Sequence, residues 1–170
     1  MLSQDDSRFG LLPVRRRRLP AWGVHPVGPL HHVFEWCYAY GAVAPATGER
    51  FCWELPSRRA DLCQPCMEAL AHAFPDSLNS LLLDHSGAHT APRRRRPAHV
   101  RYVGRPPYGP ELNPSARVWR DVQEDSAWCQ CAALEAQPHQ VGDLFWAYEA
   151  TALQSLTGYA YVVEAIHALR

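Results

Sequence analysis

Residues 81–87 read Leu81-Leu82-Leu83-Asp84-His85-Ser86-Gly87, a short apolar run that ends in an acidic residue and a glycine turn. A continuous apolar run of this kind is typical of a strand that is covered on both faces. In open α/β sheets, ligands bind beyond the carboxyl ends of the strands. Asp84 is therefore either a ligand of a divalent cation at that edge or the cap of the following turn, and the segment alone leaves both interpretations open.

The segments around this run predict an α/β domain. Aromatic and β-branched residues on both sides of a Pro-Ala-Thr-Gly turn predict a hairpin of residues 33–43 and 50–55. Apolar residues spaced four apart predict a helix over 60–74. Downstream, the pattern predicts a strand over 100–103 and then three helical segments. The helical segments are 113 toward 128, 132–148 and 151–169, and the last is expected to break at Gly158. The first of these helical segments begins with Asn113 as the N-cap and Pro114 as the first helical residue.

The composition indicates one globular domain with no global charge. The 170 residues are 47% hydrophobic, and 17 basic residues balance 17 acidic residues. The start of the chain has none of the features of a secretory signal peptide, and no stretch approaches the roughly 20 apolar residues of a membrane helix. A soluble cytoplasmic protein is expected, and the six tryptophans are predicted to be core residues. Every basic residue is Arg, and two runs of four are candidate phosphate contacts: Arg15, Arg16, Arg17, Arg18, Arg93, Arg94, Arg95 and Arg96.

Four blocks of sequence have the same order and spacing as those of a known family. They are 4–11 (QDDSRFGL), 40–48 (YGAVAPATG), 83–89 (LDHSGAH) and 106–119 (PPYGPELNPSARVW). Together they resemble the catalytic domain of DDE transposases from the bacterial insertion-sequence branch of the mariner superfamily. The resemblance implies an RNase H-like fold, which is a mixed central sheet flanked by helices. It also implies DNA cleavage and strand transfer with Mg²⁺ or Mn²⁺ held by three carboxylates.

The family's three carboxylates do not all carry over to this sequence. The first falls on Asp5, which follows a short extended segment at the start of the chain. Asp5 is expected to end a strand that neighbours the strand leading to Asp84. The second falls on Asp84, so that these two residues are the expected metal ligands. The third position is occupied by Ala116, which cannot coordinate a cation. Glu111 is the nearest substitute, but it precedes the N-cap and is not expected to reach the same point.

The resemblance also predicts the domain organisation. Family members carry helix-turn-helix domains ahead of the catalytic domain, whereas this chain begins four residues before Asp5. Residues 1–170 are therefore expected to be a single catalytic domain without the helix-turn-helix domain, that is, a truncated copy impaired in catalysis. DNA is the expected partner, through non-specific phosphate contacts, together with full-length transposase or a second copy of the chain.

Two other functions remain open. The first is a non-enzymatic remnant that binds DNA or modulates a full-length transposase through the Arg runs. The second, more distant one is a zinc-stabilised interaction module built on two cysteine pairs, Cys63 with Cys66 and Cys129 with Cys131. The short spacing of the second pair and the core-facing position of Cys66 argue against zinc.

Overall fold

The computed structural model describes residues 1–10, 21–25, 36–55, 60–75, 78–83, 97–104, 112–126 and 136–168. Within these ranges the chain forms five strands and five helices. The strands are β1 (Leu2–Gly10), β2 (Trp36–Val43), β3 (Arg50–Leu55), β4 (Asn79–Leu83) and β5 (Val100–Gly104). The helices are α1 (Ala60–Ala73), α2 (Pro114–Ser126), α3 (Ala136–Ala147), α4 (Ala150–Thr157) and α5 (Ala160–Ala168).

The strands form one mixed sheet in the order β3-β2-β1-β4-β5. Strand β2 is antiparallel to both β1 and β3, whereas β4 lies parallel to both β1 and β5. The predicted hairpin is confirmed, because Val43 pairs with Arg50 across the turn. Strand β1 lies in the centre of the sheet, and its side chains therefore face helices on both sides.

Two apolar clusters cover the two faces of the sheet. On one face, Cys66, Met67 and Leu70 of α1 pack against buried residues of the strands. On the other face, Val118, Trp119 and Phe145 pack with α4 against β1 and β2. The result is a three-layer α/β/α arrangement, which is the mixed sheet with flanking helices that the resemblance implies.

Most of the predicted elements are observed with shifted ends. Strand β4 begins two residues earlier than predicted, and the final helical segment is interrupted at Gly158, as expected. The prediction that all tryptophans are core residues is wrong. Trp119 is buried, but Trp53 and Trp146 lie on the surface, with Trp146 50% exposed. In the described part of the chain, no helix is both long and apolar enough to cross a membrane.

Candidate active site

Asp5 is the fourth residue of β1, so the expectation that it ends a strand is wrong. The strand continues to Gly10 because β2 pairs with it over eight consecutive residues, from Ser3 opposite Val43 to Gly10 opposite Trp36. The expected neighbour is correct, since β1 also pairs in parallel with β4, the strand that leads to Asp84. The half-buried Asp5 is therefore held in a central strand rather than in a loop.

Asp5 projects toward the face of the sheet that α2 covers. Successive side chains of a strand point to opposite faces, so Asp5 shares its face with Ser3, Ser7 and Phe9. Each of these three residues contacts α2 or its N-cap. The Ser3 hydroxyl bonds Asn113, the Ser7 hydroxyl accepts a 2.9 Å hydrogen bond from Gln123, and the Phe9 ring packs edge-on against Trp119.

The N-terminus of α2 begins as the sequence predicts. Pro114 is the first helical residue, and the side-chain oxygen of Asn113 accepts a 3.2 Å hydrogen bond from the backbone N–H of Ser115. This is an N-cap bond, which satisfies one of the donors that a helix leaves unpaired at its start.

The same turn is also tied to β1 by side chains. The Ser3 hydroxyl donates to Asn113 Oδ1 at 2.7 Å, and the Ser115 hydroxyl donates to the Ser3 carbonyl at 2.6 Å. Asn113 Nδ2 donates in turn to the Gln4 carbonyl at 3.2 Å. Sequence reasoning missed these contacts, because they join residues more than 100 positions apart and no local pattern marks them.

Ala116 lies in this first turn, directly after Ser115. Its backbone N–H donates to the Asn113 carbonyl at 3.1 Å, and its side chain has no atom that can bind a cation. Among the described residues, no three His, Cys, Asp or Glu side chains come together as a metal site. A complete three-carboxylate site therefore does not fit this part of the chain, where Asp5 is the one predicted ligand present.

The other predicted site residues lie outside the described ranges. These are Asp84, Glu111, Arg15, Arg16, Arg17, Arg18, Arg93, Arg94, Arg95 and Arg96. Of the cysteines proposed for zinc, Cys66 is buried in the apolar cluster under α1. The side chain of Cys63 is not described, and Cys129 and Cys131 lie outside the described residues. The position of Cys66 favours a thiol that serves as a small apolar core residue.

A second group of titratable side chains, also missed at the sequence level, lies where α3 crosses β3. Burial and the nearby Asp143 raise the pKa of Glu54, while His139 and a hydrogen bond from the Gly142 backbone act in the opposite direction. Burial, followed by the charge of Glu54, raises the pKa of Cys52 to about 12. A Cβ atom at Gly142 would collide with Glu54 Oε1, so α3 crosses close above this carboxyl. Cys52 and Glu54 lie on β3, two strands from β1 and Asp5, whereas His139 and Asp143 lie on α3. This group therefore belongs to the packing of α3 on the sheet and not to the site around Asp5.

Comparison with known protein sequences identifies relatives of this chain. The sequence model of the DDE superfamily endonucleases matches residues 1–130. An uncharacterized protein of Sinorhizobium fredii, y4pE/y4sA, is 30% identical over 91 residues, which cover 53% of this chain and 67% of that protein.

Solved structures of Mos1 transposase resemble this chain. A paired-end complex with the left transposon end matches 92% of this chain with a TM-score of 0.68 and 14% identity. The Mos1 strand transfer complex matches the same share with a TM-score of 0.69 and 12% identity. The chain spans about half the length of these Mos1 chains, 51% and 50%. These structures confirm the RNase H-like fold, and the family model covers most of the sequence, including all of β1 and α2. The chain belongs to the DDE superfamily endonucleases.

Proposed function

We propose that this chain is a transposase-type DDE domain that is impaired in DNA cleavage and strand transfer because its third carboxylate position holds Ala116. The observation that supports this proposal is the attachment of α2 to β1. The first turn of α2 is bound to the backbone of Ser3 and Gln4, directly before Asp5. A carboxylate at position 116, in this turn, would lie near Asp5, but position 116 holds an alanine.

The pairing of β1 with β4 supports Asp84 as the second carboxylate. The observed pairs are Leu2 with Leu81 and Ser3 with Leu82. The same register, continued by two residues, would align Asp5 with position 84. Hard cations prefer carboxylate oxygens, so we propose that these two aspartates bind a single Mg²⁺ or Mn²⁺ weakly.

The missing third ligand is expected to reduce catalysis strongly. In two-metal phosphoryl transfer, the metal ions stabilise the attacking and the leaving oxygens. The loss of comparable electrostatic stabilisation costs roughly 3–4 kcal/mol in other enzymes, which corresponds to a factor of about 10² to 10³ in rate. We therefore expect no detectable cleavage by the chain with Ala116.

DNA is the proposed substrate, and the two Arg runs are the proposed contacts. Guanidinium groups bind phosphate oxygens without reading the base sequence, so this binding would be non-specific and strongly salt-dependent. Replacing residues 93–96 by Ser should weaken binding to a DNA duplex and reduce its salt dependence. An unchanged affinity, or strong selection of one sequence from a random pool, would contradict this assignment.

The decisive experiment is Mn²⁺-dependent cleavage of a pre-nicked DNA duplex. We expect no product from the wild-type chain and measurable product from Ala116→Glu. A carboxylate near the start of a helix also interacts favourably with the helix dipole, so this substitution should not destabilise the fold. Ala160→Glu is the matched control, because it places the same substitution at the start of α5.

The same assay tests the alternatives. Robust cleavage by the wild-type chain that is abolished in Glu111→Ala would assign the third carboxylate to Glu111. If Ala116→Glu remains inactive but DNA binding persists, the non-enzymatic DNA-binding alternative is favoured. Equal product from Ala116→Glu and Ala160→Glu would refute the role assigned to position 116.

A further inference from the structure

Three buried polar side chains join the start of α2 to the centre of the sheet. Ser3, Asn113 and Ser115 are each at most 2% exposed. Their side chains and the backbone of Ser3, Gln4 and Ser115 form a connected set of hydrogen bonds between 2.6 and 3.4 Å. Buried polar groups are costly unless they are paired, and such sets are sensitive to the loss of any one member.

These bonds exceed what is needed to cap a helix. The cap itself requires only the Asn113 side chain and the N–H of Ser115. The additional bonds all lead to β1, and Ser3 takes part both through its hydroxyl and through its carbonyl. A polar contact farther along the same strand and helix is simpler, because Ser7 and Gln123 share one partly buried hydrogen bond.

The set of bonds lies next to both proposed ligand positions. Ser3 precedes Asp5 by two residues on the same face of β1, and Ala116 directly follows Ser115. The Ala116 N–H is bound to the Asn113 carbonyl, so the backbone of position 116 is fixed by the same residue that binds Ser3. A shift or rotation of the first turn relative to Asp5 would break several buried hydrogen bonds at once.

We propose that Ser3 is a positioning residue, which together with Asn113 and Ser115 fixes position 116 relative to Asp5. The inference rests on the proposed function and adds one point to it. Within the described residues, the hydrogen bonds that support the third ligand position are present, while the position itself holds an alanine. In other proteins, the hydrogen-bonding residues just outside a metal site orient the metal ligands, and their loss typically reduces metal affinity by about 10- to 100-fold.

The test measures Mn²⁺ binding rather than activity, from the loss of the electron paramagnetic resonance signal of free Mn²⁺. Ala116→Glu should bind Mn²⁺ more tightly than the wild-type chain. Adding Ser3→Ala to Ala116→Glu should weaken binding by about tenfold, the lower end of such effects. In the chain with Ala116, Ser3→Ala should weaken Mn²⁺ binding less than it does in the Ala116→Glu background, because position 116 then offers no ligand to misplace.

Ser7→Ala in the Ala116→Glu background is the matched control. It removes a hydrogen bond between the same strand and helix, away from position 116. Its Mn²⁺ affinity should equal that of Ala116→Glu alone. Asn113→Ser keeps an N-capping side chain while removing the amide that bonds Gln4, and it replaces Ser3→Ala if that variant does not fold. In the Ala116→Glu background, Asn113→Ser should also weaken Mn²⁺ binding.

The outcomes separate the two proposals. If Ala116→Glu tightens binding and neither Ser3→Ala nor Asn113→Ser weakens it, the positioning role is refuted and the proposed function stands. Equal weakening by Ser3→Ala and Ser7→Ala would likewise show a general structural effect and refute the positioning role. If Ala116→Glu does not tighten binding, the assignment of position 116 is wrong, and both proposals fail.

Discussion

The Trp119 indole lies directly against the backbone of Gly41, the residue that pairs with Asp5 in the sheet. A Cβ atom at position 41 would be 2.5 Å from Cζ2 of Trp119 and 3.2 Å from the Phe145 ring. The absence of a side chain at position 41 therefore allows α2 and α3 to pack closely on the centre of the sheet. The Trp119 and Phe145 rings stack on each other with centroids 5.2 Å apart, so neither ring can move without disturbing the other.

Gly41→Ala should lower the free energy of unfolding by about 1–3 kcal/mol, the usual cost of overfilling a packed core. Urea unfolding followed by tryptophan fluorescence and by circular dichroism measures this change. In a Trp119→Phe background the same substitution should cost less, because the smaller ring removes the atom that collides. An equal cost in both backgrounds would show that Trp119 is not the obstacle.

Gly48→Ala should destabilise the contact between the β2–β3 turn and α4. Gly48 has a φ of +74°, and a Cβ atom there would collide with the backbone of Ala150. Gly23 is a matched control, because its φ is +81° but a Cβ atom there would meet nothing within 4 Å. Gly23→Ala should cost no more than the roughly 1–2 kcal/mol of a left-handed alanine, and Gly48→Ala should cost clearly more in the same unfolding experiment. Equal costs would mean that α4 can move away from the turn.

The parts of the structure that the sequence predicts are those set by local rules. The start of α2 at Pro114 follows from the N-cap preference of Asn113 and the fixed φ of proline. Strand β4 follows from its continuous apolar run. Both patterns act within a few residues, so they are visible before any tertiary contact is known.

The sequence-based predictions are wrong where contacts between distant parts of the chain determine the local structure. Asp5 lies inside β1 because β2 pairs with the strand as far as Gly10, and that partner is distant in the sequence. Trp146 follows the helical pattern of α3 but lies on the surface, where its backbone carbonyl accepts a 2.8 Å hydrogen bond from Arg50. The bonds between Ser3 and the start of α2 span more than 100 residues and have no local signature.

Glu54→Gln should change how stability depends on pH. The pKa of Glu54 is raised above its ordinary value of 4.5, chiefly by burial and then by Asp143. Just above pH 4.5, the folded chain therefore binds more protons at this position than the unfolded chain does. Glu54 thus contributes to the free energy of unfolding at low pH, and this contribution is lost as the pH rises. Glu54→Gln removes this dependence, and the variant should become more stable relative to wild type as the pH increases from 4 toward neutrality.

Urea unfolding of both proteins over that pH range measures the difference. His139, Asp143 and Cys52 are present in both proteins, so the difference reports Glu54 together with its charge interactions with these three residues. Glu164→Gln, which makes the same substitution at an exposed position of α5, is the control. A Glu54→Gln curve parallel to that of wild type would show that the folded environment does not perturb this carboxyl.

The last prediction concerns the metal and uses the two adjacent aspartates of β1. Because side chains alternate along a strand, Asp5 faces α2 whereas Asp6 faces the side of α1, where its pairing partner Tyr40 is buried. If Asp5 and Asp84 share a cation, calorimetric titration of the wild-type chain with Mn²⁺ should show weak binding of one ion. Asp5→Ala and Asp84→Ala should each reduce this binding, because a single carboxylate cannot replace two converging anions. Asp6→Ala removes the same charge one residue away on the opposite face, and it should leave the isotherm unchanged. Identical isotherms for wild type and Asp84→Ala would remove Asp84 from the site, and equal effects of Asp5→Ala and Asp6→Ala would indicate a general loss of negative charge rather than a lost ligand.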